Sequence, residues 1–200
     1  FPKNGKVLLI TGMAAGFAGL FQTPLTALFF AMEVMVIGKI EYEALLPGVI
    51  ASFTASYTSH FLGLEKFSVN IQQSINMNDL KNMILMILVG IILGIVGRIF
   101  STSLSALKTL FQGGEVTPLF SIGATLGFIL APIFHLPIEL CVALGYTGVF
   151  ASATNTLLAP MMIGLEVFGG HQMIAFLIIC IFAYLVNGNK SIYTAQIKNF

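Results

Sequence analysis

The chain has 200 residues, of which 57% are hydrophobic and 8% are charged, and its formal net charge at pH 7 is +1. Soluble domains carry about 25% charged residues, whereas the mean hydropathy here is +0.96. These values exclude an ordinary soluble domain and predict an integral membrane protein in contact with the lipid bilayer. The near-neutral charge leaves no basic patch, so we expect no nucleic-acid partner.

The N-terminal sequence and the two cysteines do not change the prediction of a membrane protein. No n-region with a cleavage site begins the chain, so no signal peptide is visible, and Phe1 in the place of Met leads us to expect missing residues before it. Cys141 and Cys180 both lie in apolar runs. We expect them to be small core residues, not a disulfide or a metal pair.

The apolar segments differ in length. Two are long enough to cross a bilayer, which needs about 20 residues: residues 44–64 and residues 80–110, the second interrupted by Arg98. Four are too short to cross alone, namely 24–37, 118–134, 156–168 and 172–186. Short apolar helices broken by Gly and Pro predict half-spanning helices that meet inside the protein. We expect Arg98 to snorkel or to face protein.

Two stretches of the chain repeat each other at a constant spacing. The matched pairs are Gly12 with Gly145, Phe17 with Phe150, Ala18 with Ala151, Thr23 with Thr156, Leu25 with Leu158, Glu33 with Glu166, and Val34 with Val167. Each copy has a helix of small residues, a polar break, a short apolar helix and a glutamate. Duplicated broken helices predict a transporter with its site at the repeat interface.

Polar side chains mark the breaks in both copies. We expect Gln22, Thr23 and Asn155 to satisfy backbone groups where the helices stop. Glu33 and Glu166 end the short helices, and we expect each to pair with backbone or with a cation at the membrane edge.

The string of residues 113–118, Gly-Gly-Glu-Val-Thr-Pro, lies where a helix is predicted to begin. Thr117 is a good N-cap and Pro118 a good first helical residue. The unpaired N–H groups and the positive dipole end of that helix would then form an anion site. Glu115, beside such a site, must be paired or protonated. The alternative is that Glu115 caps the next helix or faces water.

No chemistry of an enzyme is visible. His60, His135 and His171 are isolated, and no spacing resembles a metal site. No phosphate-binding loop or nucleophile–base arrangement occurs. We therefore predict no enzyme, no metal and no cofactor.

Three motifs together resemble the CLC family of anion channels and transporters. The stretch from Gly12 to Glu33 resembles the family's glycine–alanine-rich helix and its Asn-Ala-Pro-Leu break. Residues 113–118 stand where most members carry Gly-Gly-x-Phe-x-Pro. The stretch from Gly188 to Tyr193 resembles the C-terminal Gly-x-x-x-x-Tyr, whose hydroxyl lines the central anion site. The resemblance implies an anion site formed by Glu115, Val116 and Tyr193.

Two departures resemble the fluoride/proton antiporter branch. Val116 replaces the usual phenylalanine and follows Glu115, while Val34 stands where chloride/proton exchangers carry an internal proton-transfer glutamate. The resemblance implies that Glu115 takes part in coupling fluoride to protons. Fluoride is a strong hydrogen-bond acceptor, and a protonated carboxyl can replace some of its lost water.

A third departure concerns what the chain does not contain. The Gly-Ser-Gly-Ile-Pro-like and Gly-Arg-Glu-Gly-Pro-like motifs, the latter with the external gating glutamate, do not occur, and residues 80–110 run almost directly into Gly113. We therefore expect an incomplete membrane domain. Two alternatives stay open: a chloride channel or chloride/proton exchanger, and a fragment that keeps only packing and association surfaces.

The prediction is an all-α, polytopic membrane protein of broken, tilted helices in two related repeats, which we expect to be inverted. It forms one membrane domain over 1–200, with first-repeat helices in 6–64, a long helix in 80–110, and second-repeat helices with the tyrosine segment in 113–200. The predicted partners are a halide, fluoride or chloride, the proton, the lipid bilayer and a second copy in a homodimer. We expect it in a bacterial inner membrane, exporting fluoride.

Overall fold

The computed structural model describes residues 3–106 and 116–197. These residues form α-helices and no β-strand, with one isolated bridge between Val36 and Ile197. The helices are α1 (Lys3–Phe21), α2 (Pro24–Glu33), α3 (Leu45–Phe61), α4 (Leu80–Ala106), α5 (Val116–Phe134), α6 (Ile138–Thr154), α7 (Leu158–Glu166) and α8 (Met173–Asn187), and a 3₁₀ turn at Tyr42–Ala44 precedes α3. The prediction of an all-α architecture is confirmed.

Within the described ranges, three helices are long and apolar enough to cross a membrane: Asn4–Phe21, Leu80–Ala106 and Val116–Phe134. The expectation that 118–134 is too short was wrong, because α5 has 19 residues. Pro118 falls in its first turn, where a missing N–H costs nothing. In the stretch 44–64 the 3₁₀ turn takes the start and α3 has 17 residues, near the lower limit of about 17 for a helix that crosses a bilayer.

Two units of three helices carry the repeat. α1, α2 and α3 pack together, α6, α7 and α8 pack together, and α2 contacts α7 between the units. The C-terminal Glu33 of α2 bonds the start of α7, and the C-terminal Glu166 of α7 bonds the start of α2. The equivalent helices α2 and α7 are therefore antiparallel, and the two units are inverted relative to each other.

Glycines let α5 and α6 pack at backbone distance. A Cβ atom added to Gly127 would lie 2.0 Å from the carbonyl oxygen of Cys141, and one added to Gly145 would lie 2.0 Å from that of Gly123. Neither position can hold a side chain unless the helices separate. Close backbone approach at small residues is the usual basis of helix association in lipid.

The long helix α4 packs against α6 and α8. A Cβ on Gly94 would lie 2.9 Å from Ala183, and one on Gly97 would lie 2.6 Å from the Cβ of Ser152. Ser152 also donates its hydroxyl to the Gly94 carbonyl at 2.7 Å. α6 is therefore enclosed by α4, α5 and α8, and most of its side chains are buried.

Candidate functional site at the repeat interface

The two helix breaks have the same backbone conformation. Gln22 and Asn155, which occupy matched positions in the repeat, are both left-handed, with φ of 53° and 56°. Asn adopts this region more readily than most residues, and Gln does so rarely. Each amide is held: Gln22 Nε2 donates to the Leu64 carbonyl, and Asn155 Oδ1 accepts from Asn187 Nδ2 at 3.1 Å.

Glu33 caps the short helix of the other unit. Its carboxylate accepts backbone N–H groups of Leu157, Leu158 and Ala159, the last two at 2.9 and 3.2 Å, although the residue is only 8% exposed. Burial of an ionised carboxylate is costly without such partners. The orphan donors and the positive dipole end of α7 supply them.

Glu166 makes the reciprocal cap. Its two carboxylate oxygens accept the N–H groups of Leu25 at 3.0 Å and Thr26 at 2.7 Å, at the start of α2. Thr23 occupies the N-cap position of α2, but its side chain makes no cap hydrogen bond and its Oγ1 is buried without a partner. The backbone support expected from Thr23 therefore comes from Glu166.

The segment after α8 is tied to the end of α6. Asn187 Nδ2 donates to the Lys190 carbonyl as well as to Asn155, and the Ile192 N–H donates to the Ala153 carbonyl at 2.9 Å. Ser191 Oγ donates to the Thr154 carbonyl and accepts the Tyr193 N–H. These bonds fix the path of the chain that leads into Tyr193.

Tyr193 lies between the two units. Its ring meets that of Phe30 on α2 edge to face, with centroids 5.9 Å apart. Further along, Ile197 forms the parallel bridge with Val36, accepting the Ile37 N–H and donating to the Met35 carbonyl. The tyrosine segment therefore runs from the end of α6 to the end of α2.

The beginning of α5 borders the same core. Val116 packs against the main apolar cluster, as does Tyr193. Ring contacts join the two regions: Phe120 stacks on Phe150, Phe150 contacts Phe30, and Phe30 contacts Tyr193. The structure thus places two of the three predicted anion-site residues around one aromatic core.

The structure describes only part of the 113–118 string. Thr117 was expected as the N-cap, but it lies exposed inside α5, which begins at Val116 among the described residues. The helix starts before Thr117, so its hydroxyl does not precede the first turn. Glu115 lies outside the described residues.

Sequence reasoning missed the polar anchors of the tyrosine segment. Asn187 is fully buried at the end of a helix that is otherwise strongly apolar, which is the signal that could have identified it. For Glu33 and Glu166, backbone pairing was expected, but the partner helix could not be named. Among residues 3–106 and 116–197 no cluster of His, Cys, Asp and Glu could hold a metal.

Comparison with known proteins gives the family. The model of the voltage-gated chloride channel family matches residues 1–112 and, separately, residues 103–188. The chain belongs to the voltage-gated chloride channel family. Because this family spans membranes and three helices here are long enough to cross, the chain is a multi-pass membrane protein.

The names of several similar proteins state the ions that those proteins transport. The chain is 30% identical to a "Chloride/fluoride channel protein" of Pseudomonas syringae pv. tomato over 97% of its length, and 29% identical to the H(+)/Cl(−) exchange transporter ClcA of Yersinia pestis over 63%. The crystal structure of a CLC-type fluoride/proton antiporter matches with a TM-score of 0.93 and 39% identity over 96% of the chain. These names describe channels and exchangers, as expected for a protein that is no enzyme.

The chain is shorter than these relatives. It spans 59% of the Pseudomonas protein, 27% of the Yersinia exchanger and 66% of the antiporter chain. The alignment with the Pseudomonas protein runs over 266 positions, more than the 200 residues of the chain. That relative therefore has internal sequence without a counterpart here. The two family matches overlap at residues 103–112, a stretch that begins within the last turn of α4.

Proposed function

We propose that this protein exchanges anions for protons across a bacterial inner membrane and exports fluoride. The observation that carries the proposal is the match to the fluoride/proton antiporter, at 39% identity over 96% of the chain. The likeness to a chloride/proton exchanger is weaker, at 29% identity over 63% of the chain. Export of fluoride is also supported by Glu115–Val116 and by Val34, because these residues resemble the fluoride/proton antiporter branch.

Different residues would bind the proton and the anion. Val34 is 6% exposed and packs in the apolar core, so it offers no group that can carry a proton. Glu115 would carry the proton in its place. The anion would contact the N–H groups near Glu115 and Val116 and the hydroxyl of Tyr193. These donors suit fluoride, because N–H and O–H groups can replace part of its tightly held water.

The direct test is fluoride efflux from liposomes that contain the purified protein, recorded with a fluoride electrode and a pH probe. We expect the wild type to expel fluoride with coupled proton movement in the opposite direction. Glu115→Gln removes the titratable group and should abolish the coupling. Glu65→Gln, in an exposed loop, is the matched control. Proton-coupled efflux that persists in Glu115→Gln would overturn the role of Glu115.

Tyr193→Phe tests the second donor. It keeps the ring that contacts Phe30 and removes only the hydroxyl. Loss of one hydrogen bond to an ion, worth about 1.5–3 kcal/mol, should weaken apparent fluoride affinity by about tenfold or more. An unchanged affinity would place the anion elsewhere.

Chloride transport is the second candidate. The relatives include H(+)/Cl(−) exchange transporters, and the name of the Pseudomonas protein includes both halides. Chloride and fluoride efflux from the same vesicles separates the two, and faster chloride efflux would favour this reading.

The alternative of another class is a protein that forms a dimer and does not transport anions. The α3 helix exposes large apolar side chains that a second copy could cover, including Leu46, Ile50 and Tyr57 at 71%, 61% and 73%. We propose association of two copies through α2, α3, α7 and α8. A stable dimer in detergent with no flux of either halide would establish this alternative.

A further inference from the structure

A cation lies on the outer surface of α4 near its C-terminal end. Arg98 lies on α4 and is exposed, and Ile95 and Ile99 beside it are 45% and 59% exposed. Together with Thr102, Ser103 and Val186 these residues line an open groove of about 430 Å³. The groove therefore has apolar walls, hydroxyl groups on one side and a single positive charge.

The depth of Arg98 in the membrane follows from its place in α4. It lies about 25 Å along the helix axis from Lys81, at 1.5 Å per residue, while the hydrocarbon core of a bilayer is about 30 Å thick. The next turns carry Ser101, Thr102, Ser103 and Ser105, which suit the polar boundary. With Lys81 at one boundary, the long Arg98 side chain reaches the headgroups of the other.

The guanidinium is only lightly engaged by protein. Its Nη1 donates to the Val186 carbonyl at the end of α8, at a long 3.4 Å. A Cβ on Gly188 would lie 3.3 Å from the same nitrogen, so the α8 terminus is adjacent. Among residues 3–106 and 116–197, the ion pairs of Lys6 and Lys39 do not involve Arg98, and no carboxylate pairs with it. Most of its five donors are open to the groove.

We propose that this groove binds an anionic phospholipid with an uncharged headgroup of the phosphatidylglycerol type. Arg98 donates to the phosphate, since guanidinium and phosphate oxygens form strong charge-assisted bonds. Ser103 supplies a hydroxyl beside it, and Ile95 and Ile99 cover an acyl chain. The Thr102 hydroxyl already donates to the Arg98 carbonyl at 2.8 Å, so only its lone pairs face a glycerol hydroxyl.

The groove discriminates between lipid headgroups. Its lining contains no carboxylate to receive the ammonium group of phosphatidylcholine. The exposed Lys190 follows Gly188 by two residues and adds positive charge at this end of α8. Basic pockets between membrane helices are known to hold acidic headgroups. The groove lining includes none of the residues proposed to contact the transported anion, Glu115, Val116 and Tyr193.

The test is native mass spectrometry of the purified protein in a neutral detergent, titrated with phosphatidylglycerol or with phosphatidylcholine. We expect the wild type to retain phosphatidylglycerol about tenfold more strongly, and Arg98→Gln to lose that preference. Lys66→Gln removes one exposed loop charge and should behave as the wild type. Equal retention of both lipids by the wild type, or an unchanged preference in Arg98→Gln, would overturn the proposal.

Two further measurements test the proposal: retention by Arg98→Lys, and competition with inorganic phosphate. Arg98→Lys keeps the charge without the planar fork, so intermediate retention is expected even if Arg98→Gln folds poorly. Inorganic phosphate at millimolar concentration tests the source of the ligand. Phosphatidylglycerol should stay bound in its presence, because phosphate alone gains nothing from Ile95 and Ile99. Displacement by inorganic phosphate would mean that the site takes a free anion and not a lipid.

Discussion

The first helices of the two units, α1 and α6, have similar sequences and different surroundings. Thirteen residues of α6 are buried, whereas on α1 burial is confined to Ile10, Ala14 and Ala18 among residues 4–21. Gly145 on α6 touches the backbone of Gly123, but its repeat partner Gly12 has no atom within 4 Å of an added Cβ. The same pattern of small residues therefore packs against another helix in the second unit, whereas Gly12 in the first unit faces open space.

The difference has a simple structural cause. α6 is covered by α4 and α5, and no described helix takes the corresponding place beside Gly12 and Gly16 on α1. A glycine pattern therefore permits close helix packing without producing it. Whether a glycine is essential depends on the neighbour that the fold brings to it.

The largest expected effect comes from one methyl group added to each member of this pair. Gly145→Ala places a Cβ against the Gly123 carbonyl, where backbone atoms cannot yield, so we expect a loss of about 3 kcal/mol or of folding altogether. Gly12→Ala meets open space and improves helix propensity by up to about 1 kcal/mol. Thermal unfolding in detergent, followed by size-exclusion chromatography, measures both. Equal melting temperatures of the two variants would contradict the comparison.

The second largest loss of stability is expected from the glutamates that cap α7 and α2. Glu33 is 8% exposed and accepts three N–H groups, while the half-buried Glu166 accepts two. Glutamine keeps the shape and removes the charge that faces the helix dipole. We expect Glu33→Gln to cost about 2 kcal/mol and Glu166→Gln about 1 kcal/mol.

Chemical unfolding of both variants and of the double variant tests this order. The caps lie at opposite ends of a helix pair about 15 Å long, so their losses should add within about 0.5 kcal/mol. A larger loss for Glu166→Gln would mean that burial does not set the strength of the caps.

The repeat itself was predictable from local sequence. Matching Gln22 with Asn155 identified both helix breaks, and each residue has the left-handed backbone that ends a helix there. The ends of α3 and α5 were misjudged, because a 3₁₀ turn and a proline in a first helical turn leave little trace in hydropathy. Pro118 was predicted as the first residue of the helix, whereas α5 already includes Val116 and Thr117.

The contacts of the candidate site were less predictable, because they join distant parts of the chain. Glu33 reaches Leu157 across 124 positions, and Ser191 reaches Thr154 across 37. Sequence alone showed that a buried glutamate needs donors, but only the antiparallel pairing of α2 with α7 identifies them. Tyr193 was expected at an anion site through resemblance to a family, and its contact with Phe30 required the fold.

The smallest expected effect concerns the segment that joins α2 to α3 and its counterpart that joins α7 to α8. In the first unit, Glu41 lies between α2 and α3, and its Oε1 is 2.7 Å from Lys6 Nζ and 3.4 Å from Lys39 Nζ. The hydrogen bond from Lys6 lowers the pKa of Glu41 below its usual 4.5, although partial burial opposes this. The link in the second unit carries Gly169 and Gly170 instead.

A lowered carboxyl pKa stabilises the folded state at pH values above 4.5, and this contribution disappears as the pH falls through the folded-state pKa. The Lys6 side chain is 33% exposed, and ion pairs with this exposure contribute under about 1 kcal/mol. In Lys6→Ala the melting temperature should therefore be slightly lower at neutral pH and should fall less on acidification from about pH 7 to about pH 3. Lys66→Ala, which removes an exposed charge from a loop, should follow the wild-type curve. If Lys6→Ala also followed the wild-type curve, Glu41 would not tie α1 to the α2–α3 link, and the two units would differ only in how their first helices are covered.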